Sequence, residues 1–128
     1  MKTYSLLFCV LFSSISFAEN DKDIFPPKTR TDIIRAIDDI CADTWCEGDY
    51  DFKFLEFKCR RSKRHCDLTF QFIQSEDELK KTYSSVQTCG FDNIKELNQI
   101  LDEQKNLNEE FYETLSNCIM EKERSIVF

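Results

Sequence analysis

Cysteine content constrains this fold more than any other feature of the sequence. The chain has seven cysteines in 128 residues, and we set Cys9 aside because it lies in an N-terminal apolar segment. The other six are an even number in a chain that is predicted below to be exported. They therefore indicate three disulfides, for which fifteen pairings are possible. These six are Cys41, Cys46, Cys59, Cys66, Cys89 and Cys118.

Zinc coordination is the main alternative for the same cysteines. Structural zinc sites usually contain closely spaced Cys-x2-Cys pairs, often completed by histidines. The sequence has no such pair, and His65 is its only histidine. We therefore expect a disulfide framework, and the sequence predicts neither a zinc site nor a cofactor.

The N-terminus has the pattern of a secretory signal peptide. Residues 1–18, MKTYSLLFCVLFSSISFA, have one positive charge at Lys2, an apolar run from Leu6 to Phe12 and small residues that end at Ala18. This run is too short to span a bilayer, and no later stretch reaches the roughly 18 to 20 apolar residues of a transmembrane helix. We expect a cleaved signal peptide, a secreted or periplasmic protein and no transmembrane segment.

The rest of the chain predicts a short leader followed by one domain. Residues 19–30 are polar and contain the consecutive prolines Pro26 and Pro27, so we expect a flexible leader. Residues 31–128 then form a single disulfide-stapled α+β domain. A core of this size is thin, which makes cross-links important for stability.

Apolar periodicity predicts that the domain begins with a helix and a hairpin. A helical stripe of apolar residues covers about residues 32–44. Alternating apolar residues then cover residues 50–59 and 66–72, which predicts two antiparallel strands. The alternation slips at Phe54 and Leu55, and such a slip is typical of a β-bulge.

The second half of the domain predicts one more strand and two helices. Residues 83–89 are ambiguous, and we expect a strand there because a lone hairpin is unstable in water. Gly90 then breaks the chain, Asp92 caps one helix, and Asn106 or Asn108 opens another. The predicted fold class is α+β, with an N-terminal helix, a three-stranded antiparallel sheet and two C-terminal helices, stapled by disulfides.

These elements suggest how the cysteines pair. Cys59 and Cys66 bracket the tip of the hairpin and should lie nearly opposite each other. Cys89 lies near the end of the third strand and Cys118 on the last helix, so their bridge would join helix to sheet across a long loop. The two remaining cysteines, nearest the N-terminus, form the third pair.

Net charge limits the partners of the chain. The formal charge is −7, and loss of Lys2 with the signal peptide makes the mature domain −8. Nucleic acid is disfavoured, because its binding depends on Lys and Arg side chains that neutralise phosphates. An acidic balance favours solubility and cationic partners.

A basic cluster on the predicted hairpin is the most unusual surface feature. The segment KCRRSKRHC places five basic residues at the tip of a chain that is otherwise strongly acidic. Such a cluster can bind another exported protein or an anionic surface component. It can also keep exposed strand ends from pairing with other chains, or present a bait loop to a protease that cleaves after basic residues. The five residues are Lys58, Arg60, Arg61, Lys63 and Arg64.

An acidic cluster lies between the first helix and the first strand. Four carboxylates surround Gly48 there, but the spacing lacks the acidic ligands at the third and twelfth positions of an EF-hand loop. Calcium binding in another geometry, or a small hydrolase that uses two of these carboxylates, stays open as an alternative to a solvated acidic junction. The four residues are Asp43, Glu47, Asp49 and Asp51.

Other catalytic constellations are missing from the sequence. The cysteines are predicted to be oxidised, and His65 has no identifiable Ser or Asp partner. Gly48 and Gly90 are the only glycines, which excludes a phosphate-binding loop. By elimination we expect a non-catalytic interaction or binding domain that uses the basic cluster, with the small hydrolase as the alternative.

Overall fold

The structure is a computed structural model, and it describes residues 22–41, 50–77 and 79–128. The predicted signal peptide and most of the acidic cluster lie outside these residues and stay predictions. The described part of the chain contains two α-helices, four β-strands and one 3-10 turn. In chain order they are α1 (Pro27–Cys41), β1 (Asp51–Arg60), β2 (His65–Asp77), β3 (Lys80–Tyr83), β4 (Gln87–Phe91), the 3-10 turn (Leu97–Gln99) and α2 (Glu109–Glu123).

The sheet is antiparallel, and β2 is the strand that pairs with all the others. Along one edge β2 pairs with β1, so that Phe72 lies opposite Phe52 and His65 opposite Arg60. Along its other edge the first half of β2 pairs with β4 and the second half with β3. Its first nine residues alternate between partly exposed and buried positions, as expected for a strand with one face in the core.

The predicted hairpin and its β-bulge are confirmed. The register between β1 and β2 shifts between Phe54 and Glu56, where the sequence pattern slips. The extra residue is Leu55, whose side chain is exposed. Because the bulge adds one residue, Phe57 after it points to the same face as Phe54 before it, and both contact the core.

The predicted third strand is wrong, because the structure has two short strands in its place. The segment 83–89 contains the end of β3, a break at residues 84–86 and the start of β4. At the break, the Ser84 N–H donates to the Phe72 carbonyl and the Ser84 Oγ accepts from the Phe72 N–H, both at 2.9 Å. A side-chain oxygen thus replaces one main-chain acceptor of the ladder, and the sheet has four strands rather than three.

The first of the two predicted C-terminal helices is also wrong. The segment between β4 and α2 contains only the 3-10 turn among the residues described. The Gln99 side-chain oxygen accepts from two backbone N–H groups at 2.7 and 3.0 Å, which satisfies local donors without an α-helix. The apolar spacing that suggested a helix belongs instead to an irregular segment whose side chains enter the core. They include Ile94, Ile100 and Leu101.

The two helices pack at different sides of the sheet. The first helix contacts β1 and buries Ile33 and Ile37, and the second contacts β4. The first helix begins at Pro27, earlier than predicted, since proline is favourable in the first turn of a helix. A helix opened by Asn108 is confirmed, because its side chain accepts from the Glu110 N–H at 3.0 Å.

Aromatic rings join the second helix to the strands. The ring of Phe91 at the end of β4 stacks on Phe111 of α2, with centroids 4.4 Å apart. The ring of Phe57 in β1 contacts both, with its centroid 6.3 Å from that of Phe91 and 6.2 Å from that of Phe111. All three side chains are buried. The core is therefore continuous from β1 to α2 beneath the hairpin end of the sheet.

Two of the predicted disulfides are confirmed. Cys59–Cys66 joins β1 to β2, and Cys89–Cys118 joins β4 to α2. The third predicted pair includes Cys46, which lies outside the described residues. Disulfides of this kind fit folding in an oxidising compartment. In the described residues, neither helix has the length and apolar character needed to cross a bilayer.

Replacing Ser84 with alanine should destabilise the domain. Ser84→Ala leaves the buried N–H of Phe72 without its acceptor, which costs about 1 to 3 kcal/mol in the free energy of unfolding. The matched control is Ser85→Ala, whose hydroxyl accepts from the Gln87 side chain in an exposed hydrogen bond, so its effect should stay within about 0.5 kcal/mol. Urea unfolding measures both, and equal effects would contradict a role for Ser84 at the break.

Candidate binding site at the hairpin tip

The structure brings the five predicted basic residues together at one end of the sheet. Residues 61–64 form the loop between β1 and β2, and the remaining two basic residues lie at the end of β1. All five side chains are exposed. We call this set the basic tip. It consists of Lys58, Arg60, Arg61, Lys63 and Arg64.

The charges of the basic tip are not neutralised within the described part of the chain. The ion pairs there are Arg30 with Asp23, and His65 with Asp67 and with Asp92. None of them includes a residue of the basic tip. Among the described residues, no carboxylate therefore occupies these positive groups.

The base of the tip is closed by a disulfide. Cys59 and Cys66 lie opposite each other in the register of β1 and β2, and their bridge joins the two strands just before the loop. Within the loop the Lys63 N–H donates to the Arg60 carbonyl at 3.2 Å. The loop is therefore fixed at its base and across its turn.

The segment before the first helix holds the tip from the β1 side. The Arg61 N–H donates to the Lys22 carbonyl at 3.2 Å, and Asp23 forms a β-bridge with Arg60. One carboxylate oxygen of Asp23 accepts from the Cys59 N–H at 3.2 Å, and the same oxygen lies 3.4 Å from Arg30. This part of the predicted leader is thus in contact with the domain.

The segment after β4 holds the tip from the other side. The Arg64 carbonyl accepts from the Ile94 N–H at 2.9 Å. The backbone of Arg64 has a φ of 51°, in the left-handed region that favours glycine or asparagine. The loop keeps an arginine there despite the steric cost.

His65, which begins β2, has two carboxylate partners that the sequence did not reveal. Its Nδ1 lies 2.7 Å from Asp92 and its Nε2 lies 2.8 Å from Asp67. Asp67 could have been suspected, because residues two apart in a strand share a face. Asp92 could not, because only the pairing of β4 with β2 brings it to the same place.

Gly90 makes room for the histidine ring. The prediction that Gly90 breaks the chain is wrong, since it lies inside β4 opposite Asp67. A Cβ atom built on Gly90 would lie 2.9 Å from Cε1 of His65, too close for a side chain. A side chain at this position would therefore displace the imidazole from its place between the two carboxylates.

The two carboxylates raise the pKa of His65 above its ordinary value of 6.5. The hydrogen bond with Asp92 is the largest cause, and the hydrogen bond with Asp67 is the second. Burial acts in the opposite direction. The arrangement favours the imidazolium form.

The acidic cluster is described at one position alone. Asp51 is the exposed first residue of β1, whereas Asp43, Glu47 and Asp49 lie outside the described residues. The hydrolase and calcium alternatives therefore stay predictions. In the described residues, no group of three or more acidic, histidine or cysteine side chains is arranged to hold a metal ion.

A cleft of about 570 Å³ adjoins the tip between the end of β4 and the start of α2. Its lining includes the carboxylates of Asp92 and Glu110 and the amides of Asn98 and Asn108, with no basic side chain. Asp92 belongs both to this cleft and to the histidine cluster. The cleft is thus an acidic neighbour of the basic tip.

Comparison with protein-family models, with curated proteins and with solved structures found no match for this chain. The functional inference therefore rests on the geometry described above.

The pKa of His65 predicts that stability falls as pH rises. A pKa raised in the folded state gives stability that is complete below about pH 6.5 and is lost as pH rises through the folded-state value. Urea unfolding of the wild type and of His65→Asn between about pH 6 and pH 9 measures this contribution. His65→Asn should remove it, and Asp92→Asn should reduce it. Parallel pH profiles for wild type and His65→Asn would contradict the prediction.

Proposed function

We propose that this protein is a non-catalytic interaction domain that binds an acidic patch on another exported protein through the basic tip. One observation carries the proposal: five exposed basic side chains, none of them in an ion pair with another described residue, lie on the end of β1 and on a loop that is anchored on both sides. The alternative is that the basic residues only keep exposed strand ends from pairing with other chains. That role would not need an anchored loop.

The anchoring matters because it lowers the cost of binding. Association normally loses free energy when loops and side chains become ordered at an interface. In the basic tip the backbone is already fixed by the disulfide, by Lys22 and by Ile94. Arginine side chains on a fixed backbone can then form charge-assisted and bidentate hydrogen bonds with carboxylates.

The overall charge favours a protein patch over an extended polyanion. The whole chain has a formal charge of −7, so most of its surface is repelled by a uniformly negative membrane or polysaccharide. A compact acidic patch contacts only the basic tip. The acidic surface beyond the tip repels it little, because charges separated by more than about 8 to 10 Å are screened at physiological salt. We therefore favour a protein partner.

The backbone of Arg64 gives independent support. A residue other than glycine in the left-handed region costs roughly 1 to 2 kcal/mol, and such strain concentrates at binding and active sites. An arginine at a φ of 51° is consistent with a requirement for its side chain at this position of the loop.

Charge reversal at the tip should abolish binding without unfolding the domain. The variant Arg60→Glu, Arg61→Glu, Lys63→Glu, Arg64→Glu removes the attraction, while Lys58 is kept because it lies opposite Asp67. The matched control reverses four exposed charges elsewhere: Arg35, Lys80, Lys81 and Arg124. Each oxidised domain serves as bait in affinity capture from the native secreted or periplasmic fraction, at low and high salt.

Three results of the capture experiment are decisive, and a separate binding assay with anionic vesicles and heparin tests the alternative partner class. A protein retained by the wild type and the control at low salt, and lost with the tip variant, supports the proposal. Retention by the tip variant overturns it, and so does a wild-type bait that retains nothing. Binding of the wild type to anionic vesicles or heparin in place of a protein would replace the proposed partner class.

Arg64→Gly should separate binding from stability. Glycine removes the steric cost of the left-handed backbone, so the free energy of unfolding should stay equal or rise by up to about 1 kcal/mol. Loss of one charged side chain should weaken binding of a rhodamine-labelled hexaglutamate peptide by roughly three- to tenfold. Urea unfolding and fluorescence anisotropy measure the two effects. A variant that is less stable, or that binds as well as the wild type, would count against a binding role for Arg64.

A further inference from the structure

We propose that His65 makes binding at the basic tip depend on pH, with anionic partners bound more tightly when the imidazole is protonated. The inference rests on the proposed function, because it concerns the same loop. It starts from the placement of one ring between two carboxylates at the base of the tip. It adds a regulatory role to a residue that does not itself belong to the basic tip.

The hydrogen-bond geometry of His65 is satisfied only by the imidazolium form. Both ring nitrogens lie within 2.8 Å of carboxylate oxygens, and ionised carboxylates accept hydrogen bonds but do not donate them. A neutral imidazole has one N–H, so one nitrogen lone pair would face an oxygen lone pair. Loss of the proton therefore breaks one of the two contacts.

The Asp92 contact is the one that should open. Asp92 has an 82% exposed side chain and lies after the last strand, whereas Asp67 is 36% exposed and lies within β2. Asp67 is held by pairing on both sides, with Lys58 on β1 and Gly90 on β4. Water can replace the imidazole as the partner of Asp92 at lower cost.

The surrounding charges set the direction of the effect. From β1, Arg60 lies opposite His65 and Lys58 lies opposite Asp67. The loop contributes Arg64 and β2 contributes Asp67. From the β4 side Gly90 has no charge and Asp92 is acidic. When His65 is protonated, its positive charge partly offsets the negative charges of Asp67 and Asp92. When His65 is neutral, both carboxylates attract the basic side chains and weaken their attraction to an anionic partner.

The size of the effect follows from a single charge near the interface. One unit charge at about 8 Å in water contributes roughly 0.5 kcal/mol, or about a twofold change in affinity. Release of Asp92 also removes one contact between the segment after β4 and the first residue of β2, which loosens the base of the tip and adds to this change. We expect the hexaglutamate peptide to bind about two- to fivefold more tightly at pH 6 than at pH 9. The rhodamine is attached to the N-terminal amine of the peptide, so its remaining titratable groups are carboxylates with pKa values near 4, which stay ionised across this range. The change with pH therefore belongs to the domain.

The experiment measures peptide affinity against pH for the wild type, His65→Asn and Asp92→Asn by rhodamine anisotropy. His65→Asn should bind with a flat pH profile across the same range. Asp92→Asn should bind more tightly at pH 9, because one competing carboxylate is gone, and its pH dependence should be smaller. A wild-type profile as flat as that of His65→Asn overturns the inference while the proposed function stands. Failure of the wild type to bind at any pH instead overturns the proposed function.

A second measurement needs no substitution. Linkage requires that a ligand bound more tightly by the protonated form raises the pKa of the group by the logarithm of the affinity ratio. The chain has one histidine, so the Cε1 proton resonance reports His65 without ambiguity. Titration with and without the peptide should show a higher pKa in the complex. An unchanged pKa contradicts the inference even if the His65→Asn domain does not fold.

Discussion

Pairing along β2 is the constraint on which the rest of this structure depends. Every other strand in the described residues hydrogen-bonds to β2, and the two disulfides described above each have at least one end on β2 or on a strand that pairs with it. The helices contact β1 and β4 and contribute to one core cluster with the buried face of β2. The strand that organises the core also positions the exposed loop, because the loop directly precedes its first residue, His65.

The basic tip shows how a thin core can support a rigid exposed loop. The loop has few apolar contacts of its own, and its order comes from hydrogen bonds with segments that are distant in sequence. Lys22 lies before the first helix, and Ile94 follows the last strand. These two segments restrain the loop from opposite sides through backbone hydrogen bonds. Its polar groups can therefore stay in solvent.

Local patterns in the sequence were reliable where the structure is local. Alternation identified β1 and β2, the slip at Phe54 identified the bulge, and the hairpin placed Cys59 opposite Cys66. The errors came from residues whose role depends on distant partners. The sequence around Ser84 resembles one continuous strand, and the segment after β4 has the apolar spacing of a helix. Only the pairing with β2 shows that the first is interrupted and that the second is irregular.

Some residues of the candidate site could be predicted from local sequence, and others could not. The five basic residues could be grouped from the sequence because they are contiguous in a predicted hairpin. The histidine cluster could not, since Asp92 is 27 residues away from His65 and reaches it only through the register of β4. The sequence predicts a chain break at Gly90, because sequence alone does not show that a histidine ring occupies the space above this glycine.

The anchoring of the basic tip also limits how it can be imitated. A cyclic peptide that copies the loop and closes it through Cys59 and Cys66 would keep the sequence and the charges. It would lose the carbonyl of Lys22, the N–H of Ile94 and the carboxylate of Asp92, which come from outside the hairpin. Such a mimetic would sample many loop conformations, so an inhibitor or affinity reagent derived from this protein would need the whole scaffold.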